Sequence, residues 1–132
     1  MILPNQPEQL IGLTPYAYVA SPYSLYPGGL DNAHKAAARV AGGLLKLGVY
    51  VYAPIAHCHP IADSAQIPPR DHAIWLLHCR AMFDPCAALI IAMLDGWRES
   101  YGIGEEIKWA KEAKKPIYWM EPRTFTWSRA AQ

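Results

Sequence analysis

The run SYGIGEEIKWA, residues 100–110, sets two carboxylates side by side behind a serine and two glycines. On a helix turning about 100° per residue, Ile103, Ile107 and Ala110 share one face, and Glu106 falls on the same side. Glu105 points the other way with Lys108 and Glu112, toward solvent. An inward carboxylate in the first turn of a helix is helped to stay ionised by the helix dipole, against the desolvation that would raise its pKa. Such a group has the chemistry of a nucleophile. Equally, a glutamate there serves the dipole, or closes a capping box with a nearby hydroxyl. Ser100, Gly102 and Gly104 let the backbone come close to a ligand, and N–H groups at a helix start suit a phosphate or carboxylate. The plainer alternative is a loop with a serine cap.

The elements that must hold these groups follow from periodicity. Residues 16–21, 49–54, 87–94 and 116–120 are short apolar or aromatic runs bounded by turn formers, and each predicts a strand. The third is apolar throughout, as expected of a strand buried on both faces. Between the first two, Ala33, Ala37, Val40, Leu44 and Leu47 recur at helical spacing, with Asp31 or Asn32 as cap and Gly48 as stop. Residues 71–83 predict a second helix ended by Asp84-Pro85. Residues 54–69 hold four prolines and no clear period, and are expected to form a functional loop. Strand alternating with helix predicts a doubly wound, Rossmann-like α/β fold: a parallel sheet of four to five strands with helices on both faces. One domain over residues 1–132 is expected, with irregular ends at 1–14 and 121–132. In such sheets ligands bind beyond the carboxyl ends of the strands, which gathers residues 21–29, 54–69 and 95–105 on one rim.

The totals narrow the function classes. A formal charge of +1 on 132 residues, with no basic run, gives no electrostatic case for a nucleic-acid polymer or an anionic membrane. The run CAALIIAML is too short to span a bilayer as a helix, and the proline-broken N-terminus lacks the charged start of a signal peptide. Three cysteines without a CxxC pair fit reduced thiols, so a cytoplasmic domain is expected.

Together, YVASPY, SYGIGEEIKWA and KKPIYW resemble the nucleoside 2-deoxyribosyltransferase-like superfamily over most of residues 16–120. The closest likeness is to its 2'-deoxynucleoside 5'-monophosphate N-glycosidases and to a small uncharacterised bacterial and phage branch. The pattern S-x-G-x-G-x-E-[IL]-x-x-A followed by proline is met by Ser100, Gly102, Gly104, Glu106, Ile107, Ala110 and Pro116, and Gly96-Trp97 adds to the likeness with the uncharacterised branch. The resemblance implies that Glu106 attacks the anomeric carbon and displaces the base, with Tyr18 beside it. It also implies that Ser100 helps hold a 5'-phosphate, and that Ser21-Pro22 open the first ligand loop. Tyr18 taken alone reads equally as a core strand aromatic. An acid common in relatives at the start of the third strand is absent, because Cys86 is followed by Ala87. The sugar-binding aspartate is then Asp71 or Asp84, and Asp71 reads equally as a helix cap.

Other groups compete for roles. His57 and His59, in HCHP, match no usual zinc spacing, so neither a metal nor another cofactor is expected; hydrogen bonding or stacking on a base is the better use. Trp97 on the rim is the candidate to stack on a base, whereas Trp75, between apolar neighbours, reads as core. Lys111, Lys114 and Lys115 read as a solvated face. The expected function is cleavage of the base–sugar bond of a (deoxy)nucleoside or its 5'-monophosphate. The alternative is a nucleotide-binding or sensing module without turnover. A homodimer or homotetramer is expected, with Arg123 and Trp127 of the tail, which show no pattern tying them to their own core, reaching a neighbour's site.

Overall fold

Alternation along the strands explains the architecture. In the computed structural model, which describes residues 4–130, the elements run β1 (Ala17–Ala20), α1 (Leu30–Lys46), β2 (Val51–Tyr52), α2 (Pro54–Ala65), α3 (His72–Phe83), β3 (Ala88–Ala92), α4 (Tyr101–Glu112), β4 (Ile117–Met120) and β5 (Trp127–Ser128). The sheet order is β2-β1-β3-β4-β5; the first four strands are parallel and β5 pairs antiparallel with β4. Ala17, Val19, Ile90, Ala92 and Met120 join Val40 and Leu44 of α1 in one apolar cluster. Their neighbours Tyr18, Ala20, Leu89, Ile91 and Trp119 join Phe83 of α3 and Ile103, Trp109 and Ala110 of α4 in another. Period-two alternation puts these clusters on opposite faces of the sheet. Both central strands are therefore buried throughout, and each buried aliphatic side chain contributes about 1.5–3 kcal/mol.

Most of the span expected as a loop is helix, Pro54–Ala65. Pro54 sits at the first helical position, where no N–H is needed, and Pro54, Cys58 and Ala62 are buried at spacings of four. Pro60 stands inside this helix and removes one backbone hydrogen bond. The helix persists because α2 packs along α1 and β1. Proline, cysteine and alanine make a small-residue stripe that periodicity in large apolar residues does not detect.

Three smaller expectations also change. The cap of α1 is Gly29, not Asp31 or Asn32; Asn32 donates to the Gly28 carbonyl at 2.9 Å. Lys115 is no solvated face: its ammonium donates to the carbonyls of Phe83, Asp84 and Cys86 at 3.0, 2.6 and 2.7 Å, where the C-terminus of α3 needs a cation. The ends are tied down as well. Pro7–Leu10 forms a 3-10 turn that buries Leu10, and Trp127 donates through its indole to Gln6 O at 2.9 Å while packing edge-on to Tyr118. Trp127 is thus fastened to its own sheet. Arg123 is exposed and paired with Glu121 at 2.9 Å. Among the described residues no helix is long and apolar enough to cross a membrane.

Candidate active site

The strand order reverses between β1 and β3, and a crevice is expected beyond their carboxyl ends. A cavity of about 410 Å³ lies there, within the range of small-molecule sites. Its walls come from the loop after β1, from α2 and α3, and from the start of α4.

Each wall has a local cause. Pro22 cannot continue the ladder of β1, so the chain turns at Ser21, which is buried with a hydroxyl that finds no partner. The loop after β3 is drawn against this turn at Gly96. Its φ is +92°, and any Cβ there would stand 2.8 Å from the Leu25 carbonyl, so only glycine fits. Ser100 then caps α4, its Oγ accepting from the Ile103 amide at 3.3 Å. The Gly104 amide bonds the Ser100 carbonyl at 3.1 Å. Gly104 therefore has no N–H to give a ligand, and Gly102 remains the glycine of the cavity wall. A Cβ on Gly102 would lie 4.0 Å from both Glu106 Oε1 and Ser100 Oγ, so its bareness keeps the approach to the carboxyl open.

Glu106 is inward, as helical phase predicts: it is 7% exposed, whereas Glu105 pairs with Lys108 at 3.4 Å. Its titration differs from the expectation. The helix begins at Tyr101, which puts Glu106 in the second turn, where the dipole is weaker. Burial dominates and raises its pKa to about 8, opposed by the Tyr18 hydroxyl and assisted by Cys79. No cation pairs with it among the described residues. Tyr18 is fully buried beneath it, edge-on to Phe83. Burial, and after it the charge of Glu106, hold the phenol well above its usual range. The two groups sense one another, yet the Tyr18 hydroxyl closes no hydrogen bond of normal geometry. Two orphaned hydroxyls and a raised carboxyl thus face or underlie one cavity. Buried polar groups are normally satisfied, and those that are not call for a ligand, a water or a chemical role.

Of the residues singled out in the sequence, the cavity wall unites Ser21, Ser100, Gly102 and Glu106, with Tyr18 behind the last. Asp71 stands outside it as the cap of α3, accepting from the Ala73 amide at 3.1 Å. Asp84 lies at the far end of α3, held by Arg80 at 3.1 Å. Trp97 packs on the Tyr18 cluster under the Arg98 guanidinium. His57 stacks on His78 and is no part of the wall, whereas His59 is.

The wall also holds residues that periodicity hides. Trp75, read as core, lines the cavity, its indole donating to the Pro68 carbonyl at 3.0 Å. Arg70 donates to Ser24 Oγ at 3.1 Å across the mouth, and His72 stacks on Tyr101 at 4.8 Å. Cys58 and Cys79 meet between α2 and α3. Each is the largest influence on the other, Cys79 lowering the Cys58 thiol and Cys58 raising the Cys79 thiol. Among the described residues no group of three or more His, Cys, Asp or Glu is placed to hold a metal ion.

Residues 15–122 match the model of a family described as Domain of unknown function (DUF1937), and the chain belongs to that family. Comparison with curated proteins gives no match.

Proposed function

We propose that this DUF1937 protein cleaves the N-glycosidic bond of a (deoxy)nucleoside or its 5'-monophosphate, with Glu106 as nucleophile, on a doubly wound, Rossmann-like sheet. The observation that carries the reading is the buried, cation-free Glu106 carboxyl in the wall of a small-molecule cavity. A carboxylate so placed can trap the oxocarbenium-like sugar as a covalent ester when the base departs, and water or a second base then releases it. Positive charge building on the sugar in a dry site favours the ionised carboxyl, which offsets its raised pKa as the reaction proceeds. Tyr18 orients the carboxyl from below. Ser100, whose oxygen is occupied by the Ile103 amide, keeps its proton to donate to a phosphate, and the first-turn amide of Gly102 supports it. Ser21 faces the cavity with an unused hydroxyl suited to the sugar.

Assembly as a homodimer or homotetramer belongs to the same reading. It is supported by α3, which buries only Phe83 and leaves Ile74 and Leu77 exposed at 45% and 76%. Light scattering at micromolar concentration reads this directly, and a monomer mass would reject it.

Incubation with a panel of nucleosides and 5'-monophosphates, with free base detected by chromatography, tests the activity. Base release that disappears in Glu106→Gln supports it. Binding of a nucleotide without release would assign the cavity to sensing instead, a reading favoured by the missing acid at Ala87.

A further inference from the structure

Departure of a nucleobase needs a proton donor, and no residue above is assigned to that step. The cavity wall also carries a relay that none of the roles above uses. Tyr23 Oη lies 2.6 Å from His59 Nδ1, and both residues line the cavity. The other ring nitrogen, Nε2, stands 3.5 Å from Asp31 Oδ1, and the His59 side chain is only 17% exposed. The ring is also clamped in orientation: His34 stacks on it at 4.8 Å, and Tyr23 meets it edge-on at 5.7 Å. His34 is in turn within 3.4 Å of the Ile55 carbonyl. Ionised, Asp31 can only accept, so it holds a hydrogen on Nε2 and leaves Nδ1 to exchange a proton with the phenol. A tyrosine, a histidine and an aspartate in this order form a proton path from solvent to the cavity.

We propose that Tyr23 is the catalytic proton donor to the departing base, that His59 returns its proton, and that Asp31 positions His59. The proposal rests on the glycosidic reading of the cavity. As the ionised Glu106 carboxylate attacks the anomeric carbon, the C–N bond breaks and its electron pair goes to the base. The Tyr23 hydroxyl gives its proton to a ring nitrogen, and protonated His59 passes the proton on Nδ1 to the phenolate. When water opens the sugar ester, its proton travels back through Tyr23 to His59, and Glu106 leaves as a carboxylate. Base, sugar and one consumed water balance the cycle.

The test compares leaving groups. Guanine nucleotides are paired with their N7-methyl counterparts, whose base departs without taking up a proton, and uracil nucleotides with 5-fluorouracil ones, whose base needs it less. Tyr23→Phe is expected to slow release of the natural base about a hundredfold or more, and of the activated base by less than about threefold. His59→Gln shows the same selectivity at smaller amplitude, in kcat rather than KM. Glu106→Gln loses both substrates alike. A folding defect would depress both members of a pair equally, so the ratio between them reports the proton alone. Equal losses on natural and activated substrates in Tyr23→Phe would overturn the proposal and leave the glycosidase reading standing. A wild-type protein that releases no base from any pair would overturn both.

Discussion

Glu106 and Glu121 are the same side chain in opposite circumstances. Glu121 follows β4 and accepts from the Arg123 and Thr124 amides at 2.7 Å each, with the Arg123 guanidinium at 2.9 Å. Burial raises its pKa, but the donors, led by the Thr124 amide, outweigh it and bring the group down to about 2. Glu106 is buried without such donors and rises to about 8. The turn after β4 is a finished structure: every oxygen of its carboxylate has a partner, and the carboxylate stabilises the fold. The cavity is an unfinished one. Its carboxyl has no cation beside it, the hydroxyls of Tyr18 and Ser21 find no partner, and that incompleteness is what separates a site from a brace.

The contrast breaks most visibly in activity. Glu106→Gln should reduce base release by about a thousandfold or more, while Glu105→Gln, on the outward face, stays within about twofold. Chromatographic rates for the two variants decide it; equal losses would remove the distinction between the neighbours.

Stability against pH sharpens it next, because the two carboxyls carry opposite signs. Between about 4.5 and about 8 the folded protein keeps a proton on Glu106 that the unfolded chain has released. Its contribution is therefore complete below that window and is lost as pH rises through it. Denaturation of wild type and Glu106→Gln at about pH 5 and about pH 9 should show the variant gaining by up to a few kcal/mol at the higher pH. A constant difference would mean that Glu106 is not protonated in the folded state.

Ser100→Ala probes whether the rim offers spare donors. It should weaken a 5'-monophosphate by about tenfold to a hundredfold relative to the matching nucleoside, the worth of a charged hydrogen bond of about 1.5–3 kcal/mol. Ser100 also caps α4, so the ratio of the two affinities, measured by calorimetry, is the quantity to read. An unchanged ratio would remove phosphate from the serine.

The smallest effect belongs to the turn. Glu121→Ala should cost about 1 kcal/mol near neutral pH, leave base release unchanged, and lose its effect in acid. The sign follows from the depressed pKa: stability is present above about 4.5 and disappears as pH falls toward about 2. Urea titrations of both proteins near pH 7 and near pH 2 measure it.

Local pattern determined a good part of this molecule. The apolar runs at 87–94 and 116–120 carry their own strand signal. The spacing of Ile103, Ile107 and Ala110 is enough to turn Glu106 inward, because side-chain direction on a helix follows its pitch; Glu105, expected in solvent, is half-buried beside Lys108. Asp71 as a cap before α3 was equally legible. What the sequence could not fix depends on neighbours far along the chain. Residues 54–65 become helical because α2 packs along α1 while Pro54, Cys58 and Ala62 turn to the cavity, an arrangement invisible until both helices are placed. Trp75 enters the cavity wall and Trp97 leaves it because the placement of α3 and of the turn after β3, not hydrophobicity, decides which aromatic meets the crevice. The charge state of Glu106 is tertiary in the same sense. The helix start favours the carboxylate locally, but desolvation by burial is a many-body effect, and it exceeds what one helix dipole and the Tyr18 hydroxyl supply.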